Sequence, residues 1–322
     1  MGYRSLVVLC SVGFVVTSGC SDGAKTSETS ALSTDSSTNP APTTLAATTT
    51  TFPAGDRFCA RGGEPVQVGT LADPALVEVS GVVASRRHPG VLWVHNDSGD
   101  SARLFAIDET GARLGEFVVD GVDATDWEDI ALVPGDDGDE LVAADIGDNA
   151  AQRASVRLLT IPEPDLPADP TSAVTLAGLE PVEYVYEDGP HDAEAIFYDV
   201  EAQEMKIVTK AYVGAPRVYS TRRGEPGVFF AGPEVVLGPG ALATAADATF
   251  DGSSIVVRTY TSVVVFPREA GQSVEAAMSG ASCVAPAAVE QQGEAIALLA
   301  DESGYITISE GVGAPIWKVS VR

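Results

Sequence analysis

Between Val79 and Arg322 the sequence writes one pattern five times. An apolar, strand-like run is followed by a turn rich in Gly, Asp, Pro and Ser, then by a second run that ends on a polar or charged group. The first runs read VSGVVAS, WEDIALV, DAEAIFYD, AADATFD and GEAIALLA, and the second runs read VLWVHND, LVAADIGD, MKIVTK, SIVVRTY and YITISEG. A self-similar period of roughly 50 residues belongs to folds in which each unit buries its apolar face against a neighbouring copy. Little of this stretch keeps a helical period, and its frequent glycines and prolines would break one.

Each repeat holds about four strand-like runs, as short antiparallel strands require. The prediction is an all-β fold: a β-propeller of five four-stranded blades, with six also compatible. In the fourth repeat the runs are 246–250, 254–260, 262–267 and 273–278. The fifth has only three, because the chain stops at Arg322 after PIWKVSVR. An unassigned run, PVQVGTL at Pro65–Leu71, precedes the first repeat. An open edge strand invites aggregation, so this N-terminal run is predicted to pair beside 315–321 and close the ring.

Arg4 followed by the apolar run Leu6–Val16 reads as a signal peptide, too short to span a bilayer. Thr17-Ser18-Gly19-Cys20 then resembles the lipobox of bacterial lipoproteins, which implies a signal peptide of residues 1–19 and diacylglycerol on Cys20. An ordinary signal peptide cut nearby is the alternative. The Ser/Thr/Pro-rich stretch that follows, within 20–58, cannot bury enough apolar surface to order itself and is expected to be a tether. At about 5–6 Å × √n it would reach tens of ångströms. The propeller domain is then expected at 59–322, on the outer face of the cell membrane, a monomer held to it only by the lipid. Cys10 leaves with the signal peptide and Cys20 carries lipid. Cys59 and Cys283 remain as an isolated pair in an oxidising compartment and are predicted to form a disulfide.

The formal charge is -27, from 46 acidic and 19 basic residues. Such a balance repels phosphate backbones and argues against nucleic acid. It favours cations or basic surfaces, although a solvated acidic surface explains it equally.

In an antiparallel pair the start of one strand and the end of the next lie at the same end of the sheet. The five repeats therefore bring two sets of residues to one rim. First strands supply Ser80, Glu128, Asp129, Asp192, Glu194, Asp247 and Glu294. Second strands supply Asn96, Asp97, Asp145, Asp148, Lys210, Arg258 and Glu310. Clustered carboxylates and amides are hard oxygen donors suited to Ca²⁺. Asp126, Glu128, Asp129, Asp145, Asp148 and Asn149 form the densest candidate metal group. The same residue types also begin turns and cap strands. Lys210 and Arg258 would bind an anion or pair with neighbouring glutamates. His95 and His191 sit in the rim segments, but no serine stands in a GxSxG elbow, so a hydrolase triad is not expected.

The segments HNDSGDSARLFAID, DWEDIAL, ADIGDN with Arg153, DAEAIFYD with Lys210, TAADATFDGSSIVVRTYT and GEAIALL with SEG span most of the domain. Together they resemble the lipid-anchored, esterase-like or phytase-like β-propellers of high-GC Gram-positive bacteria. The phytase-like side of that resemblance implies a calcium-dependent phosphoester hydrolase, whose aspartate-rich motifs and six blades this chain does not match. Three readings follow. The first is a surface-anchored propeller that binds a small ligand or envelope protein at the acidic rim, with Ca²⁺ as the one cofactor in view. The second is a metal-assisted phosphoester hydrolase using Lys210 and Arg258. The third is a structural factor of envelope assembly.

Overall fold

The structure, a computed structural model, describes residues 57–222 and 225–321. All belong to the second of two compact units, Thr50–Arg322. The signal peptide, Cys20 and the tether up to residue 56 lie outside the described residues. Helix α1 (Arg57–Arg61) opens the described chain two residues before the expected boundary at Cys59, and its Phe58 is fully buried.

Strand β1 (Val66–Thr70) is followed by five groups of strands. The first holds β2 (Val79–Ala84), β3 (Val91–Asn96), β4 (Arg103–Asp108) and β5 (Arg113–Val119). The second holds β6 (Trp127–Pro134), β7 (Asp139–Asp145) and β8 (Val156–Pro162), then the short β9 (Ala173–Leu176) and β10 (Val182–Tyr186). The third holds β11 (Ala193–Asp199), β12 (Glu204–Thr209), β13 (Arg217–Arg222) and β14 (Glu225–Glu234). The fourth holds β15 (Ala243–Ala248), β16 (Ser254–Thr259), β17 (Val263–Pro267), helix α2 (Val274–Met278) and β18 (Cys283–Ala285). The fifth holds β19 (Gly293–Leu298), β20 (Gly304–Ser309) and β21 (Pro315–Ser320).

Within each group successive strands pair antiparallel, and the first strands neighbour one another in a circuit: β2 beside β6, β6 beside β11, β11 beside β15, β15 beside β19, and β19 beside β2. This is an all-β propeller fold. β1 pairs antiparallel with β21, Val66 opposite Lys318 and Thr70 opposite Pro315. Two departures from plain four-stranded groups lie in the insertion after β8. β9 leaves its own group to pair parallel with β5, and β10 meets β14 in a short parallel contact that joins the second and third groups into one eight-stranded sheet.

The inner strands β2, β3, β19 and β20 are buried along their whole length, because each faces another sheet on both sides. Outer strands alternate, as β5 and β8 do, since one face meets solvent. The apolar runs therefore pack between groups; one core cluster, for example, joins Val79, Val82 and Val94 to Ala295, Ile306 and Ile308.

The fourth group corrects two expectations. Its first strand begins at Ala243, three residues before the predicted 246, and the run 273–278 contains a helix where a strand was expected. Ser273 caps that helix by accepting a hydrogen bond from the Ala276 N–H, and Glu275, Ala276, Ala277 and Met278 are residues that favour a turn of helix. The strand completing the group is β18, and its Cys283 forms a disulfide with Cys59, Cα atoms 6.2 Å apart. Among the described residues no helix is long and apolar enough to cross a membrane.

Candidate functional site: an acidic channel mouth

Each of the five first strands breaks register with its second strand at the same place, skipping Ser80, Glu128, Glu194, Thr244 and Glu294. A bulge leaves one residue unpaired and re-aims its side chain. The two hydroxyls are spent on the next first strand: Ser80 Oγ donates to the Glu128 carbonyl, and Thr244 Oγ1 donates to the Glu294 carbonyl at 2.8 Å. The three carboxylates are buried but gathered at one end, where residues just before the first strands (Asp126, Asp192, Gln292) and just after the second strands (Asp97, Lys210, Tyr260, Glu310) join them.

Lys210 Nζ donates to Glu194 Oε1 at 2.6 Å and lies 5.2 Å from the centre of the Tyr260 ring. Gln292 Nε2 bridges Glu294 Oε1 at 3.1 Å and Glu310 Oε2 at 2.6 Å. Asp97, Asp126 and Glu128 each present one carboxylate oxygen, all within 4.8 Å of one another. Seven carboxylates thus face two cations, Lys210 and Arg153, the latter holding the Gly147 carbonyl at 2.7 Å and Asp145 at 2.8 Å. Two buried oxygens, Oδ2 of Asp192 and Oε2 of Glu294, have no hydrogen-bond partner among the described residues.

The crowding is legible in the acidities. Burial, then the charges of Asp97 and Asp192, push Asp126 up to about 6. Burial and the facing Glu194, Asp97 and Asp126 raise Glu128 well above the carboxylate range. Burial raises Glu194 to about 7 against the pull of Lys210, and burial with Glu194 and Glu310 raises Glu294 to about 8. Burial opposes the Lys210 ammonium, but Glu194 outweighs it and the charge is held more firmly. One glycine permits the closest approach: a Cβ on Gly147 would stand 2.0 Å from Glu128 Oε1 and 2.5 Å from Asp126 Oδ2.

Several residues expected on this rim do other work. Asn96 and Asp145 occupy the same place in their groups, and each accepts hydrogen bonds from the two backbone N–H groups that precede the first strand: Val77 and Glu78 in one case, Thr125 and Asp126 in the other. Asp145 is further neutralised by Arg153 and Arg157. Both are pins of the turn, the alternative that their residue types allowed. Asp148 accepts from the Arg153 N–H at 2.7 Å and offers its own N–H to Asp192 Oδ1 at 2.9 Å, so it shapes the loop behind the mouth. Asn149 is exposed on that loop.

Asp129 lies one residue beyond the bulge and is fully buried. Its carboxylate accepts the N–H groups of Ile130, Ile196 and Ala246 at 2.9, 2.9 and 3.0 Å, tying three first strands together. Asp247 is three places too far along β15 to reach the mouth. It accepts from Ala248 and Leu298 and lines a small recess with Arg86, Phe250 and Glu302 near the other ends of the first strands. The bulge residue of β15 is Thr244, which the alignment on aspartate overlooked. Arg258 pairs opposite Ala245, two residues before the place that Lys210 and Tyr260 share, and its wholly buried guanidinium is bonded to Glu290. It presents nothing to an anion at the rim.

Of the expected metal group the structure therefore brings together Asp126 and Glu128, with Asp97 as the third donor. His95 is buried edge-on to Trp127, and His191 is hydrogen-bonded to Asp188 and Tyr219.

A scan against known protein families matches none, and a search of curated proteins finds no relative. Among solved structures the fold is similar to a gluconolactonase from Xanthomonas campestris, with a TM-score of 0.46, 10% identity, and 84% of this chain and 99% of that chain covered. It is also similar to U3-55K, with a TM-score of 0.40, 9% identity, and 79% and 98% covered. At these scores the likeness bears on neither substrate nor activity.

Proposed function

We propose that this chain is an extracytoplasmic, lipid-anchored propeller of five blades, closed by β1 beside β21, that binds Ca²⁺ and a ligand at its acidic mouth without turning the ligand over. The blade count is supported by five groups of strands and by β1 filling the outer place in the group that otherwise has three. The anchor is supported by the run that ends in Thr17-Ser18-Gly19-Cys20.

The observation that carries the binding reading is the convergence of Asp97, Asp126 and Glu128 within 4.8 Å of one another. Calcium takes six to eight oxygens at about 2.3–2.6 Å, so three carboxylates at this separation with water would serve it. Against the hydrolase reading, the excess of negative charge disfavours a phosphoester, Lys210 is committed to Glu194, and Arg258 is wholly buried and bonded to Glu290.

At a calcium concentration of about 100 times Kd the ion adds about 2.7 kcal/mol to the folded state. For a domain of this size that is a rise in melting temperature of about 5–10 °C. The rise is expected to vanish in Asp126→Asn with Glu128→Gln, and a thermal-shift titration with no response at millimolar calcium would defeat the calcium site. Gly147→Ala places a methyl group against two of the three carboxylates. Those side chains can swing aside, so the domain should fold, while calcium affinity measured by calorimetry falls about 10–100-fold.

The raised carboxylates set a pH dependence. In the folded state Glu194, Glu294 and Asp247 hold protons to about 7, 8 and 7, mainly through burial. Between about pH 4.5 and about pH 8 the unfolded chain therefore binds fewer protons than the native one, and stability falls as pH rises. A calcium-free melting temperature that climbs from pH 5 to pH 8 would contradict this.

A further inference from the structure

The end of the fold that carries the mouth also carries most of the exposed large apolar side chains among the described residues. Val77 precedes β2, Tyr212 and Val213 follow β12, Val236 follows β14, Val289 follows β18 and Val312 follows β20. Strand directions put every one of these loops at the end where first strands begin and second strands finish. In the described loops at the opposite end the exposed large apolar side chain is Phe250, and it is covered by the Arg86 guanidinium, 4.1 Å from its ring centre. Scattered surface valines need no explanation, but six at one end, distributed over loops of four different groups and around a charged opening, mark an interaction surface.

We infer that this face docks a protein segment in which lysine or arginine side chains alternate with apolar ones, the basic group entering the mouth beside Glu294 and the apolar groups lying on the surrounding loops. Charge complementarity selects this occupant. Glu294 is 3% exposed, its Oε2 has no hydrogen-bond partner among the described residues, and Glu194 and Glu310 are its charged neighbours. An ammonium or guanidinium would supply both the missing donor and the missing charge. The three calcium donors belong to the first and second groups, whereas Glu194, Glu294 and Glu310 belong to the third and fifth, so the two occupants use different carboxylates. A membrane surface is the poorer fit, since anionic lipid headgroups would meet a mouth of like charge.

The inference rests on the reading of the mouth as a binding site, and the tests of the two are separable. The probe is a synthetic peptide of alternating lysine and leucine, with its glutamate–leucine counterpart as control, titrated by fluorescence anisotropy. The lysine peptide should bind and the glutamate peptide should not, with affinity falling steeply by about 0.5 M NaCl as the charges are screened. The pair Tyr212→Ser with Val213→Ser, and the pair Val289→Ser with Val312→Ser, should each weaken binding about tenfold, as should Glu294→Gln. Val182→Ser with Val185→Ser, on an outer strand, should leave it unchanged. Of the six positions changed to serine, Tyr212, Val213, Val289 and Val312 lie in loops and Val182 and Val185 on β10, and every one is exposed, so the folded state is preserved and is verified by melting temperature. Asp126→Asn should abolish the calcium response and keep peptide binding, so loss of the calcium response in the wild-type protein alone sinks only the calcium reading. The docking inference is overturned if the lysine peptide does not bind, or binds equally well to the loop variants. Co-sedimentation with phosphatidylglycerol vesicles that depends on the same loop residues would overturn it in favour of a lipid surface.

Discussion

Replacing Cys59 and Cys283 with alanine lowers the melting temperature of the domain by about 10–20 °C. The bridge joins residues 224 apart in sequence, and in the chain-entropy treatment a loop of that length is worth about 5 kcal/mol, converted at 2–4 °C per kcal/mol for a domain of this size. The loss should be local before it is global. β1 is exposed or half-buried along its length and is held to β21 by its backbone ladder, with few buried side chains to retain it. The disulfide fixes α1, just ahead of β1, against β18, where Phe58 packs 6.1 Å from the Tyr305 ring centre and Arg57 pairs with Glu302. Without it, the amides of Val66–Thr70 should lose hydrogen-exchange protection at a lower free energy than those of β19 and β20. A variant that melts within about 2 °C of the parent, or whose β1 amides exchange no faster, would mean that the ladder to β21 and the packing of Phe58 hold β1 without the disulfide.

The strand pattern was readable because burial on two sides leaves nearly continuous apolar runs such as VSGVVAS and GEAIALLA, set off by turn residues. It failed where that contrast is weak. TAADATFD has small and polar residues in almost equal measure, and aligning it on its aspartate moved the strand three places. VEAAM is apolar enough to read as a strand, yet the serine before it caps a helix. The direction of the strands sufficed to gather Asp97, Glu128, Asp192, Glu194, Lys210, Glu294 and Glu310 toward one end of the fold. What the sequence withheld was the side on which each lies. Neighbouring residues of a strand point to opposite faces, so Glu128 reaches the mouth while Asp129 is consumed by three backbone N–H groups. The repeated bulge is decisive here, and it is a property of pairing between strands that no single repeat displays. A sharper rule would align the repeats on the residue immediately before the small one that opens each inner apolar run. That choice selects Ser80, Glu194, Thr244 and Glu294, which precede Gly81, Ala195, Ala245 and Ala295, whereas Glu128 precedes Asp129 and is found only from the strand pairing.

Arg258 is the residue whose meaning changes most, and its removal should be among the most damaging single substitutions in the domain. Its side chain and that of Glu290 are both 0% exposed; the guanidinium is bonded to the Glu290 carboxylate, which also accepts the Thr307 hydroxyl at 3.0 Å. Gly293 leaves the room, since a Cβ there would stand 1.8 Å from Arg258 Nη2. Burial pushes the arginine's pKa down and the glutamate's up, each against the pull of the other. The cost of taking two charges out of water thus remains visible after pairing. Arg258→Ala would leave the Glu290 carboxylate buried without its cation, and about 3–5 kcal/mol of stability should be lost in urea unfolding. Replacing both, Arg258→Met with Glu290→Leu, removes the stranded charge and should recover most of that loss, because a buried pair often contributes little beyond an apolar pair of similar volume. Neither change touches Asp97, Asp126 or Glu128, so the double variant should retain the calcium response. Equal instability of the single and double variants would show that the arginine acts by filling space, and a calcium response lost in the double variant would return Arg258 to the mouth.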